Sequence, residues 1–226
     1  MTKPYYQDDL VTLYHGDCRE ITEWLAADVL VTDPPYGIGY SSEFSSHRPT
    51  TGRAAYREAK AINGDDGIAL RDWTLTAWGN KPALVFGRWD VPRPTGTRAR
   101  LIWDKGNSAG MGDLSLPWGR SDEEIYVLGT GFVGPRTGSV VRVRMLTPGS
   151  HSRPDHPTPK PVSLFELLTA RCPAGVIADP FAGSGPALLA ASRAGRHAIG
   201  VEIVERHCET IARRFAQGDL FSGGVA

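Results

Sequence analysis

The chain has no excess of charge of either sign, since 25 Lys and Arg stand against 25 Asp and Glu. That balance excludes a uniformly basic nucleic-acid binder, so any nucleic-acid surface has to be local. Cysteine is scarce. Cys18, Cys172 and Cys208 form no CxxC pair, and none has a histidine at zinc-finger spacing. This argues against a disulfide framework and for three reduced thiols, and no metal is expected. Long apolar runs are missing. No stretch approaches the ~18 residues of a membrane span, and Met1–Leu10 is polar, without the apolar centre of a secretion signal. The expectation is a soluble, cytoplasmic protein with no membrane partner. Internal repeats and low-complexity tails are absent as well.

What is present is an alternation of short apolar runs and helical stretches. Strands are predicted at Leu10–His15, Asp28–Thr32, Pro82–Phe86, Ala99–Trp103, Glu124–Leu128, Val176–Ala178 and His197–Val201. Helical periodicity covers Arg19–Ala26, Ile68–Trp78, Val162–Arg171, Pro186–Ala194 and Val204–Gln217. Val140–Leu146 alternates Val with Arg, a period-two pattern with one charged face. Gly37–Gly64 is polar and reads as a loop. Strands alternating with helices imply βαβ units. The expected fold class is therefore α/β, with a mostly parallel central sheet and helices on both faces. A chain of 226 residues suits a single domain, 1–226, that buries its own core. In such sheets ligands sit at the carboxyl ends of the strands, so unusual residues are sought there.

One such end is Val176–Leu189, which runs strand, tight turn, helix: Asp179-Pro180-Phe181-Ala182-Gly183-Ser184-Gly185. Gly183 and Gly185 let the backbone turn sharply and approach a ligand without a Cβ clash. The spacing departs from a dinucleotide fingerprint, because Leu188 holds the third glycine position. No Gly-Lys-Ser/Thr follows, so it is not a phosphate loop either. About one strand later Glu202 ends Gly200-Val201-Glu202, and a carboxylate there can accept both hydroxyls of a ribose. The pair suggests a nucleoside-bearing cofactor without a pyrophosphate, which S-adenosylmethionine fits. A plain glycine turn beside a surface glutamate is the alternative.

The second end is Asp33-Pro34-Pro35-Tyr36. The prolines fix φ and remove two N–H donors. The Asp33 carboxylate and the Pro34 carbonyl can then serve as paired acceptors for an NH2 group. Tyr36 offers an aromatic face for a base. A solvent-facing Asp-Pro turn that caps a strand is the alternative.

Together these two elements resemble the amino-methyltransferases of DNA, with a D/N/S-P-P-Y/F/W catalytic motif and an FxGxG cofactor motif. Catalytic motif first and cofactor motif last is the circularly permuted order of the β group. His156-Pro-Thr-Pro-Lys-Pro161 resembles the HPTxKP element of that group, and His15-Gly16-Asp17-Cys18 its GDC element. The resemblance covers about Leu10 to Ala216. It implies a Rossmann-like S-adenosylmethionine-dependent methyltransferase fold. Catalysis would rest on Asp33, Pro34, Pro35 and Tyr36. The cofactor would be held by Asp17, Cys18, Thr158, Lys160, Asp179, Phe181, Gly183, Ser184, Gly185 and Glu202. Of these, Asp17 would reach its adenine, Glu202 its ribose, and Thr158 and Lys160 its methionine carboxylate. A solvated surface lysine is the alternative for Lys160, and capping or packing the alternative for His156. Phe44 would wall the base pocket or anchor its loop.

The implied reaction is direct methyl transfer to N6 of adenine in a base flipped out of double-stranded DNA. Gly131–Lys160 carries Arg136, Arg142, Arg144, Arg153 and Lys160 against one acid, Asp155. That local excess marks a phosphate-contacting surface, with a small target-recognition insertion around 131–155. A solvated charged strand face is the alternative. Arg88–Arg100, with Arg93 and Arg98, is a second candidate. The resemblance also implies a homodimer and a place in restriction-modification. Rival readings are N4-cytosine methylation, RNA or protein-glutamine methylation, and a catalytically idle DNA-binding module.

Overall fold

The computed structural model describes residues 2–36, 67–106, 115–145 and 159–216. The polar loop expected over Gly37–Gly64, Phe44, and the positions of Arg153, His156 and Thr158 lie outside the described residues. The strands are β1 Tyr6–Gln7, β2 Val11–His15, β3 Val29–Thr32, β4 Ala83–Gly87, β5 Ala99–Asp104, β6 Asp122–Leu128, β7 Val140–Arg142, β8 Ile177–Asp179 and β9 Ala198–Glu202. The helices are α1 Ala69–Trp78, α2 Val162–Thr169, α3 Pro186–Arg193 and α4 Glu205–Ala216.

All nine strands form one sheet in the order β1-β2-β9-β8-β3-β4-β6-β5-β7. Its centre, β2-β9-β8-β3-β4, is parallel throughout. β3 and β4 are buried along their whole length, as strands covered on both faces require. One face carries α2, α3 and α4, through Leu164, Phe165, Leu188, Cys208 and Ile211. The other carries α1 and a 3-10 turn at Glu23–Ala26, whose Trp24 stacks on Trp78 at 5.9 Å between ring centroids.

The sheet reverses its winding between β8 and β3. From β8 the chain passes through α3 to β9 on one side. From β3 it passes to β4 on the other, with α1 on the opposite face. The carboxyl ends of β8 and β3 therefore open onto a crevice at a topological switch point. Both motifs read from the sequence end on these two neighbouring strands.

The sheet is mostly parallel, as expected, with β6 running antiparallel between β4 and β5. Two features depart from the sequence expectation. The helix expected over Arg19–Ala26 shrinks to a 3-10 turn, since Glu20 and Ile21 both donate to the carbonyl of Asp17 and curl the chain early. β1 adds a two-residue antiparallel edge, too short to leave a periodic signal.

Candidate active site

The glycine turn after β8 is held from three sides. Gly183 has φ 56° and Gly185 φ 78°. A Cβ on Gly185 would stand 2.9 Å from Cγ1 of Ile211 on α4. Pro186 opens α3, where its missing N–H costs nothing. Glu202 is buried at the end of β9, and its carboxylate fastens the turn. Oε2 accepts from Gly183 N at 2.7 Å, and Oε1 accepts from Val204 N at 2.8 Å. Ser184 is buried, and its carbonyl accepts from Arg214 of α4 at 2.6 Å. Burial, with Arg193 nearby, pulls the Arg214 guanidinium down to about 10. Arg214 went unforeseen, because an arginine in a last helical turn reads as ordinary dipole pairing.

Asp179 ends β8. Its Oδ1 accepts from Thr32 Oγ1 at 2.7 Å and from Phe181 N at 3.1 Å. The Thr32 bond ties β8 to β3 beside Asp33. Burial raises the Asp179 carboxyl to about 7, against the pull of those two donors. Phe181 is half-buried against the core face that holds Trp24 and Trp78.

Asp17 follows β2 at the same edge of the sheet. It is chelated by the side chain and backbone of Arg19, and Arg19 holds its carboxyl below the usual range. The structure does not bring the Cys18 side chain to that edge. Its thiol is buried in the tryptophan core, where burial pushes it up to about 11, and its carbonyl accepts from Trp24 Nε1 at 2.9 Å. A cradle of two glycines and the carboxylates of Asp179 and Glu202, with no lysine in the turn, fits a cationic nucleoside ligand and repels a phosphate.

The other wall of the crevice is a part-buried charge cluster built round a buried lysine. Lys160 precedes α2 and is 7% exposed. Its ammonium contacts Asp33 Oδ2 and lies 3.2 Å from Glu123 Oε2. Lys160, expected at a cofactor carboxylate, is held here by the protein carboxylates nearest to it, as a buried ammonium requires. Tyr36 turns its hydroxyl inward, donating to Asp33 Oδ1 at 2.5 Å, with Glu123 Oε2 at 3.3 Å. Lys105 at the end of β5 closes the group, 2.6 Å from Glu123 Oε1.

Burial pushes the Asp33 carboxyl up. Lys160 opposes that shift and Glu123 adds to it, and the net direction is upward. Burial disfavours ionised Glu123 too, but Lys160 and Lys105 outweigh it and hold that carboxyl low. Lys160 stays protonated, because its two carboxylates outweigh its burial. Glu123 and Lys105 were missed in the sequence. Asp122-Glu123-Glu124 looks like a solvated run at a strand start.

Of the basic residues expected to meet phosphate, Arg136, Arg142 and Arg144 are exposed, and Arg142 lies 3.2 Å from Asp104. Trp89 and Trp118, 70% and 79% exposed, flank the same end of the sheet, with Arg120 5.9 Å from the Trp89 ring. Among the described residues no helix is long and apolar enough to cross a membrane.

The fold is shared with solved DNA methyltransferases. M1.HpyAVI, crystallised with S-adenosylmethionine, superposes with a TM-score of 0.61 at 20% identity, over 91% of this chain and 100% of that one. The cytosine-N4-specific PvuII DNA methyltransferase superposes with 0.64 at 14% identity, over 99% and 91%. In sequence the chain is 26% identical to the type II methyltransferase M.ScaI of Streptomyces caespitosus, over 94% of this chain and 83% of that protein. The N6/N4 DNA methylase family model matches residues 94–213, over half of the chain. The protein thus belongs to the N6/N4 family of DNA methylases.

Proposed function

We propose that this protein transfers a methyl group from S-adenosylmethionine to N6 of adenine in double-stranded DNA. The observation that carries the reading is the crevice between β8 and β3. There the Asp179–Thr32 hydrogen bond, 2.7 Å long, joins the glycine cradle to the Asp33 turn. Bound at the cradle, S-adenosylmethionine supplies a methyl group on a sulfonium centre to an incoming amine. Gly183, Gly185 and Glu202 shape the cradle, with Asp17, Phe181 and Ser184 around it and Cys18 anchoring the Asp17 turn from the core behind. Asp179 places a carboxylate near the positive charge. Asp33 and the Pro34 carbonyl accept the amino hydrogens of the target base. Those bonds draw the nitrogen lone pair out of ring conjugation and aim it at the methyl group. Pro35 stiffens the turn, and Tyr36 lines the base site.

A base paired in a duplex cannot reach this crevice, so it is flipped out. Arg136, Arg142, Arg144 and Arg153 lie in the proposed recognition region around 131–155 and meet phosphate. The Asp at position 33 favours adenine over cytosine by the family resemblance. The test is incubation with S-adenosylmethionine and unmethylated genomic DNA, digestion to nucleosides, and mass spectrometry of the products. N6-methyladenine is expected. N4-methylcytosine would keep the site and its mechanism but overturn the base. With no methylated base, the DNA reading fails.

A further inference from the structure

Asp33 has to be a strong acceptor, yet it touches a buried ammonium that by itself would neutralise it. An acceptor paired one-to-one with Lys160 would offer little charge to an amino group. In the structure Lys160 is not Asp33's alone. Its Nζ lies between Asp33 Oδ2 and Glu123 Oε2, the latter 3.2 Å away. Glu123 is in turn held from its far side by Lys105 Nζ at 2.6 Å. The order in space is Asp33, Lys160, Glu123, Lys105: a row of alternating charges, each shared with the next. Tyr36 bridges the same two carboxylates from another side.

We propose that Glu123 is a positioning residue for methyl transfer. It draws the Lys160 ammonium away from Asp33 and so keeps Asp33 the stronger acceptor for the target amino group. Lys105 sets how strongly Glu123 pulls. This inference rests on the reading of Asp33 given above. As the methyl–nitrogen bond forms and the sulfonium–methyl bond breaks, the nitrogen becomes cationic and gives up one proton. The more basic Asp33 is, the better it shares that proton before water takes it. The groups facing Asp33 are Lys160 before α2, Glu123 on β6, Tyr36 in its own turn and Asp179 on β8. Of these Glu123 is the one with no proposed contact to the base or the cofactor, its link to the base site being Tyr36 at 3.3 Å.

The sign follows from the charges. Glu123→Gln removes a negative neighbour and leaves Lys160 wholly to Asp33, so Asp33 ionises at lower pH and accepts more weakly. The acid limb of the kcat–pH profile should move to lower pH, while the plateau kcat falls about tenfold. KM for S-adenosylmethionine should stay put. Lys105→Met does the reverse. Glu123, freed of its outer partner, pulls harder on Lys160, and the acid limb should move to higher pH.

Carboxyl NMR of Asp33 in wild type and both variants reads the same shifts without turnover. An inactive wild type would sink the methyltransferase reading, whereas the NMR shifts decide this inference by themselves. Opposite shifts of Asp33 in the two variants are the expected result. Shifts of the same sign, or none, would overturn the role of Glu123. So would a Glu123→Gln variant that loses kcat with its acid limb unmoved, since that marks a merely structural loss.

Discussion

At the scale of single residues the crevice is governed by groups that titrate or pair where water is scarce. Asp179 is the clearest case. Its carboxyl rises to about 7 from an ordinary value of 3.8, mainly through burial. Between those values the folded protein binds more protons than the unfolded chain, so Asp179 stabilises the fold at low pH and loses that contribution as pH rises through about 7. We predict that Asp179→Asn, which keeps an acceptor for Thr32 and Phe181, melts at higher temperature than wild type at pH 8 and no higher at pH 4. We also predict that wild-type affinity for the cationic cofactor, read by calorimetry, rises as pH increases through about 7, and that Asp179→Asn flattens the dependence. A flat wild-type profile would put Asp179 out of contact with the ligand. Lys160→Met is a harsher change. It leaves the part-buried carboxylates of Asp33 and Glu123 without their shared cation, with Lys105 still paired to Glu123 alone. The expected loss is about 3–5 kcal/mol of stability, measured by urea unfolding, together with loss of turnover.

At the scale of elements the turns decide what the strands merely present. We predict that Gly185→Ala costs about 1–3 kcal/mol, from a φ of 78° and a Cβ 2.9 Å from Ile211. It should also weaken cofactor binding, because yielding means shifting α4 against the cradle; unchanged affinity in a destabilised variant would show the cradle tolerates that shift. Much of this level was legible in sequence. The buried run Val29–Thr32 and the glycine turn each announced a strand end, because a strand covered on both faces leaves polar residues only where it stops. The antiparallel insertion of β6 was not legible, since an apolar run looks the same in either direction. Glu123 escaped for a related reason. Its partners Lys105 and Lys160 lie far off in the chain, and Lys160 itself is 127 residues from Asp33. No local pattern encodes such a cluster.

At the scale of the whole molecule a neutral chain has to bind a polyanion, so its positive charge must be concentrated on one face. Arg142 and Arg144 are exposed at the carboxyl end of β7, the edge strand paired with β5, and Arg136 is exposed ahead of that strand. β6 begins at the same end of the sheet as the crevice, because Glu124 pairs with Gly87, the last residue of β4. DNA lying on this face could deliver a flipped base to Asp33. Counterion release makes the claim measurable. Each phosphate neutralised adds about 0.9 to the slope of log K against log salt. Arg144→Ala should lower that slope by about 0.9. Arg142→Ala should lower it less, because Asp104 at 3.2 Å already offsets part of its charge. Trp118→Ala should weaken binding without changing the slope, since an exposed tryptophan gives stacking or apolar contact and releases no ion. Fluorescence anisotropy with a labelled duplex at several salt concentrations reads all three. If the slope is unchanged when both arginines are removed, the phosphate face lies elsewhere. The stretch from Arg88 to Arg100 is then the next to test, where Arg88 pairs with Asp90 and Arg100 with Glu124 while Arg98 donates to the Gly129 carbonyl.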